Sequence, residues 1–157
     1  MELLIKQRIF SWGDKYDVYD AQGNARYYVE AEIFTLGHQI HVYDKRTNME
    51  VGSIHQELLT LLPRFEIVIG GRTVGTISKE FSLFKPRYRV DFRGWEVEGD
   101  FLSWDYIARE NGREVLSVSR ELLTWGDTYV LSYSRPQDEI SGLLLVLAID
   151  AANCNND

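Results

Sequence analysis

The stretch DEISGLLLVLAIDAA, from Asp138 to Ala152, determines the fold of this chain. Its centre, Leu143 to Ile149, is a run of seven apolar residues, which is nearly two turns of a helix at about 3.6 residues per turn. Pro136 suits the first helical turn, and the acids Asp138 and Glu139 complement the positive end of the helix dipole. We therefore predict a helix over about 136–152 that is apolar on every face.

A helix without a polar face has to be enclosed. Its apolar part covers ten positions, Ile140 to Ile149, whereas a membrane span needs about 20 residues. We therefore predict no transmembrane segment and expect the rest of the chain to surround the helix. Gly142 stands where alanine would favour the helix by about 1 kcal/mol, which predicts a close approach to a surrounding strand or loop. The predicted core positions of the helix are Ile140, Leu143, Leu144, Leu145, Val146, Leu147 and Ile149.

Composition limits the class of protein. With 157 residues and 45% apolar composition, the chain suits one domain spanning 1–157. Its net charge of -7 argues against nucleic-acid binding and against nonspecific adhesion to anionic membranes. Cys154 is the single cysteine, so there is neither an internal disulfide nor a thiolate metal site. The first ten residues, MELLIKQRIF, lack the pattern of a signal peptide, and we predict a cytoplasmic location.

The sequence also repeats itself. RIFSWGDKYDVYD (8–20) aligns with EIFTLGHQIHVYD (32–44) at an offset of 24. Further copies follow as ELLTLLPRFEIV (57–68), EFSLFKPRYRVDF (80–92) and ELLTWGDTYVLSY (121–133). Within each copy the apolar residues recur at every second position, which is typical of a strand with one buried face.

Turn residues separate these extended runs. Gly70-Gly71 and Asn111-Gly112 suit the positive φ angles of tight hairpins, and similar turns are predicted at 22–24, 47–48 and 93–94. The pattern predicts about twelve strands, near 3–10, 15–20, 26–34, 39–44, 50–58, 64–69, 73–81, 87–92, 95–99, 104–109, 114–122 and 128–134.

Sequential antiparallel strands in this number leave unpaired edges unless the sheet closes, and a barrel this wide has a lumen that side chains alone do not fill. The apolar helix solves the second problem by occupying the lumen. We therefore predict a mainly β fold, a closed antiparallel barrel over about 3–134 around a central hydrophobic C-terminal helix.

Two segments and the ending also resemble a known family. KQRIFSWGDKYDVYDAQGNARYYVE (6–30), VYDKRTNMEVGSIHQELLTLLPRFEI (42–67) and the buried C-terminal helix resemble bacterial members of the LURP-one-related family, whose fold is that of the tubby C-terminal domain. The resemblance covers essentially the whole chain and implies a closed twelve-stranded barrel around a hydrophobic helix. Proteins of similar fold include tubby, which binds phosphoinositide head groups, and the phospholipid scramblases. The shared motifs are structural, so they identify the fold rather than a reaction.

Residues with catalytic chemistry do not form a recognisable motif. His38 and His41 are three residues apart, which places them on opposite faces of a strand, and no third metal ligand stands near them in the sequence. No serine lies in a GxSxG elbow, and IGGRTVG (69–75) joins two strands and lacks the lysine of a P-loop. We therefore expect no enzyme activity, no cofactor and no metal.

One basic stretch departs from the acidic background. Residues 79–93 contain five cations and two acids, a local charge of +3. Alternation places Lys85, Arg87 and Arg89 together on the outer face of a strand, where they could bind a phosphate group. Alternatively, they are neutralised by acids on neighbouring strands, such as Glu66 or Glu98.

Two functions follow. The first is a non-catalytic binding module for a phospholipid or phosphoinositide head group, or another anionic ligand. The second is a structural or protein-interaction platform without a small-molecule ligand. Acids packed against Arg87 and Arg89 would favour the second.

Overall fold

A single antiparallel sheet of twelve strands forms the body of the molecule. The structure, a computed structural model, describes residues 1–6, 13–34, 37–123 and 126–154, apart from the side chains of 33, 34 and 154. The strands are β1 (Glu2–Ile5), β2 (Lys15–Asp20), β3 (Ala25–Phe34), β4 (Gly37–Asp44), β5 (Glu50–Gln56), β6 (Arg64–Ile69), β7 (Arg72–Glu80), β8 (Arg87–Phe92), β9 (Glu96–Asp100), β10 (Asp105–Glu110), β11 (Arg113–Leu123) and β12 (Gly126–Tyr133).

These bounds confirm the predicted strands to within two residues, except at the end of the first one. There β1 ends at Ile5, and the rest of the predicted strand, 7–10, lies outside the described residues. Two of the repeats share a Trp-Gly-Asp motif, at 12–14 and 125–127, and its tryptophans also lie outside the described residues. The turn chemistry is confirmed, since Gly70, Gly71, Asn111 and Gly112 all have φ angles between 50° and 78°.

The strand order is β8-β7-β6-β5-β4-β3-β2-β1-β12-β11-β10-β9. Pairing of β1 with β12, with Leu3 opposite Leu131, joins the first strand to the last one and makes one sheet, which curves into a barrel. The two edges are β8 and β9, which follow each other in the chain but do not pair. The predicted barrel is thus confirmed as a nearly closed one, with a seam between β8 and β9.

The C-terminal helix fills the barrel. A 3₁₀ turn at Pro136–Asp138 leads into α1 (Glu139–Cys154), so the regular helix begins three residues later than predicted and continues two residues further. Residues 143–149 are each at most 1% exposed, and Ile140 is partly buried against the same core. Inward-facing side chains of the strands, such as Ile54, Phe65 and Ile77, complete this core. Within the described residues, no helix combines the length and the apolar character that crossing a bilayer requires.

Polar contacts tie both ends of α1 to residues that flank the seam. At the first end, Arg93 donates hydrogen bonds to Asp138 (3.1 Å) and to Ser141 (2.9 Å). At the other end, Asn153 accepts a hydrogen bond from the Tyr88 hydroxyl of β8 and donates one to the carbonyl of Phe101, just after β9 (3.2 Å). Because β8 and β9 do not pair, these helix contacts hold the two edges in place.

Candidate functional site

Strand β8 presents its charged residues outward. Tyr88 and Val90 are partly buried and Phe92 is fully buried, whereas Arg87, Arg89 and Asp91 are exposed, as the alternation predicts. Lys85 is also exposed, but it lies in the loop before β8 rather than on the strand. The structure therefore places the three predicted site residues on one edge of the sheet, with Lys85 at the end where β8 begins.

The inner side of β8 is fixed by Tyr88. Its hydroxyl donates a hydrogen bond to Asn153 of α1, and its ring packs edge-on against Phe101, with 5.1 Å between ring centroids. The neighbouring strand β7 pairs with β8 in register, with Glu80 opposite Arg87 and Ser78 opposite Arg89. These contacts hold the backbone of β8, so the outward direction of Arg87 and Arg89 is set by the fold.

None of Lys85, Arg87 and Arg89 forms an ion pair with any of the residues that the structure describes. The two acids expected to neutralise them are placed elsewhere. Glu98 pairs with Arg109 at 3.1 Å, and Glu66 lies on β6, from which β7 separates β8. The expected neutralisation by these two acids is therefore not what the structure contains.

Only some of the other charges near this edge are engaged, since Glu80, which is opposite Arg87, and Asp91 form no ion pair among the described residues. Arg93, which contributes to the predicted local charge, donates to the fully buried Asp138. Asp100 accepts hydrogen bonds from Ser103, and these lower the pKa of its carboxyl. The positive charge of Lys85 lowers that pKa further. Lys85 therefore interacts electrostatically with the carboxylate of Asp100, whereas Arg87 and Arg89 are exposed to solvent.

A second polar cluster, which was not predicted from the sequence, lies on the outer face of β4 and β5. The His41 and His55 rings are 6.0 Å apart, Ser53 Oγ lies 2.9 Å from His55 Nε2, and His41 contacts both Glu50 and Gln39. The contacts form separate pairs, Ser53 with His55 and His41 with Glu50, rather than one serine–histidine–acid relay. Pairing of adjacent strands brings these histidines together, and spacing in the sequence alone does not reveal it.

A metal would need more ligands than this cluster supplies. His38 lies on the inner side of β4 with Ile40 and Val42, so it does not join His41, as its odd spacing predicts. Among the described residues, no group of three or more His, Cys, Asp or Glu side chains could hold a metal ion.

The fold defines the class of protein first: a nearly closed barrel of twelve antiparallel strands that encloses its own C-terminal helix. The chain belongs to the LURP-one-related family, which it matches over residues 1–150. It is 32% identical to the uncharacterised protein YxjI of Bacillus subtilis (strain 168) over 157 residues, which is 100% of this chain and 96% of that protein. It is also similar in fold to the X-ray structure of a protein from Arabidopsis thaliana. That match has a TM-score of 0.63 and 17% identity, and it covers 96% of this chain and 90% of that one.

Proposed function

We propose that this chain is a non-catalytic binding module in which Lys85, Arg87 and Arg89 bind the phosphate of an anionic lipid head group. The observation that carries the proposal is the absence of ion-pair partners for these three side chains among the described residues. Two arginines on one face of a strand are about 7 Å apart along the backbone, close enough for both to reach one phosphate group. Arginine also matches phosphate oxygens through two parallel N–H donors.

The position of Lys85, Arg87 and Arg89 at an edge of the sheet leaves room for a ligand to approach. Strand β8 is an edge of the sheet, so its outer face is flanked by a neighbouring strand on only one side. Its backbone is held by β7 and by the contact of Tyr88 with α1, so binding does not have to order it first. The net charge of -7 opposes the approach to an anionic surface, so we expect weak affinity that falls with salt.

Vesicle sedimentation tests the proposal. The wild-type chain should sediment with phosphatidylcholine vesicles that contain a polyphosphoinositide and stay in solution with phosphatidylcholine alone. The double variant Arg87→Ser/Arg89→Ser should lose this binding, because it removes both guanidinium groups. It should keep its melting temperature, because neither group has an ion-pair partner to lose among the described residues.

Arg72→Ser/Arg113→Ser is the matched control. It removes the same two charges from exposed arginines at the starts of β7 and β11, which lie at the opposite end of the barrel. Unchanged vesicle binding of this control is expected. Equal loss in both double variants would mean that overall charge, and not a site on β8, governs binding. Equal sedimentation of the wild type with both kinds of vesicle would contradict head-group recognition.

A further inference from the structure

One end of the barrel carries most of the exposed apolar side chains. In an antiparallel meander alternate loops lie at the same end, and the loops after β5, β7 and β9 share the end at which α1 finishes. Nine of the twelve exposed large apolar residues in the described part of the chain belong to this end. We call six of them the apolar tips: Leu59, Leu61, Phe81, Leu83, Phe84 and Leu102.

The apolar tips project into solvent. Leu59 and Leu61 are fully exposed, and Phe84 is 95% exposed. Leu59 also has a φ of 62°, a backbone conformation that a leucine rarely adopts. Exposing these side chains and straining one of them contributes nothing to folding, because apolar groups stabilise a protein only when they leave water. Their position therefore calls for a surface that covers them.

The three loops adjoin. Leu62, Phe81, Phe84, Lys85 and Leu102, which come from all three loops, line one cleft of about 320 Å³. Beyond this cleft, the loops after β5 and β7 carry apolar side chains nearly free of protein contact, since Leu59 and Leu61 are fully exposed and Phe84 is 95% exposed. Protruding apolar side chains match a lipid interface, which deforms around inserted groups, better than they match a rigid protein pocket.

The charge around the tips also favours lipid. The hairpin of residues 79–89 contains four cations and one acid, so its charge is +3 in a chain of -7. Lys85 directly follows Phe84, and its long apolar stem can lie along the tip while the ammonium group stays among the head groups. Glu57 is neutralised by its pair with Arg64 at 2.8 Å, whereas Asp100 keeps its charge, because the amides of Leu102 and Ser103 donate hydrogen bonds to it. The positive charge therefore lies on the β7–β8 side of the tips.

We infer that the apolar tips insert into the interface of a lipid bilayer while Lys85, Arg87 and Arg89 hold an anionic head group beside them. This inference rests on the proposed function and specifies it: the ligand is recognised in a membrane and not only as a free phosphate compound. A bilayer docked against this end of the barrel meets the three loops and the beginning of β8 together.

Two binding assays on three proteins distinguish insertion of the apolar tips from binding of a head group. The tip variant is Leu83→Ser/Phe84→Ser, the cation variant is Arg87→Ser/Arg89→Ser, and the third protein is the wild type. Binding to polyphosphoinositide vesicles is measured by sedimentation, and binding to soluble inositol trisphosphate by calorimetry. The tip variant should bind the soluble compound like the wild type and bind vesicles at least about tenfold more weakly, because burying one phenylalanine is worth at least that factor.

The cation variant should lose both kinds of binding. Met49→Ser/Val74→Ser, which removes two exposed apolar side chains outside the tips, is the matched control and should bind vesicles like the wild type. If the tip variant binds vesicles as tightly as the wild type, insertion is wrong and the head-group site is retained. Loss of vesicle binding in the tip variant only, with the cation variant unaffected, would overturn the head-group site and support insertion.

Self-association is the remaining outcome. If the wild type binds no vesicles but forms dimers in sedimentation velocity that the tip variant does not form, the tips are covered by a second copy. That result would overturn both the insertion and the lipid function.

Discussion

Leu144 of α1 packs directly against the backbone of Gly52 on β5, so that a Cβ placed on Gly52 would lie 2.6 Å from Leu144 Cδ1. The same Cβ would stand 3.1 Å from Cδ2 and 3.3 Å from Cγ of that leucine. The missing side chain of Gly52 thus leaves room for the Leu144 side chain, and both residues are buried. The seating of the helix depends on this pairing of a large residue with a missing side chain.

Gly52→Ala should lower the free energy of unfolding by about 1 to 3 kcal/mol, because Leu144 has to leave its rotamer in a filled core. Leu144→Ala alone should lower it by about 2 to 5 kcal/mol through the cavity that it leaves. In the Leu144→Ala background, Gly52→Ala should have almost no cost, since the clash is gone. Urea unfolding of the four proteins measures this coupling, and additive losses would show that the two residues do not share one space.

Gly142 meets a milder restriction on the opposite side of the helix. A Cβ there would lie 2.9 Å from Leu116 Cδ1 of β11 and 3.6 Å from Leu131 of β12, which agrees with the predicted close approach to a strand. Because the nearest atom ends a flexible side chain, Gly142→Ala should be nearly neutral, the helix preference of about 1 kcal/mol offsetting the contact. Gly142→Leu should lower the melting temperature by several degrees. A higher melting temperature for the leucine variant would mean that the site is roomy.

Among the ion pairs, those of the buried carboxylate at the start of the helix should contribute most to the free energy of unfolding. Asp138 is 0% exposed and accepts hydrogen bonds from Arg135 Nε (2.6 Å), Arg135 Nη2 (3.1 Å) and Arg93 Nη2 (3.1 Å). Asp138→Ala leaves both guanidinium groups without this partner, but they are 32% and 35% exposed and Arg135 keeps its pair with Glu110, so the variant should cost about 1.5 to 3 kcal/mol in the free energy of unfolding.

The control is another Arg–Asp pair, between Arg120 and Asp127 at 2.7 Å. It lies in solvent, with side chains 52% and 34% exposed, so Asp127→Ala should cost at most about 1 kcal/mol. Thermal unfolding of both variants compares the buried and the exposed pair directly. Similar losses would show that Asp138 does not anchor the helix.

Local pattern was enough to predict most of the fold. Alternation marks each strand, positive-φ pairs such as Gly70-Gly71 mark the turns, and the all-apolar run of α1 requires enclosure. The seam could not be predicted this way. The Arg93-Gly94 turn looks like any other hairpin turn in the sequence, yet β8 and β9 do not pair. Arg93 instead binds Asp138 and Ser141, contacts that exist only once the helix lies inside the barrel.

The sequence predicts the outward direction of the site's side chains but not which charged residues surround them. Alternation alone places Arg87 and Arg89 outward. Whether an acid neutralises them depends on strand order and register, which put Glu66 on a non-adjacent strand and pair Glu98 with Arg109. The apolar tips were missed for a different reason. The predicted strands 50–58 and 73–81 already leave most of the leucines at 58–62 and of the FSLF segment at 81–84 in loops, but the sequence does not show how exposed these side chains are or that the loops share one end of the barrel.

Asp150 should make stability fall as pH rises. It lies on α1 inside the barrel, and burial raises the pKa of its carboxyl to about 8, from an ordinary value of 3.8. Burial, and to a lesser extent the charge of Asp150, raises the pKa of Tyr106, whose hydroxyl has no hydrogen-bond partner among the described residues. Since the folded state holds this proton more tightly than the unfolded state, the stabilisation is complete below pH 3.8 and is lost progressively up to about pH 8.

Asp150→Asn removes this titration, so its free energy of unfolding relative to the wild type should rise by about 1.4 kcal/mol per pH unit between pH 4 and 8 and then level off. Asp20→Asn is the control of opposite sign. Hydrogen bonds from Asn24 lower the pKa of Asp20, so that aspartate stabilises the folded state above the ordinary pKa and stops doing so as pH falls. Urea unfolding at several pH values should show the Asp150→Asn variant gaining on the wild type toward high pH and the Asp20→Asn variant losing. A difference between Asp150→Asn and the wild type that stays constant with pH would show that Asp150 is ionised in the folded protein.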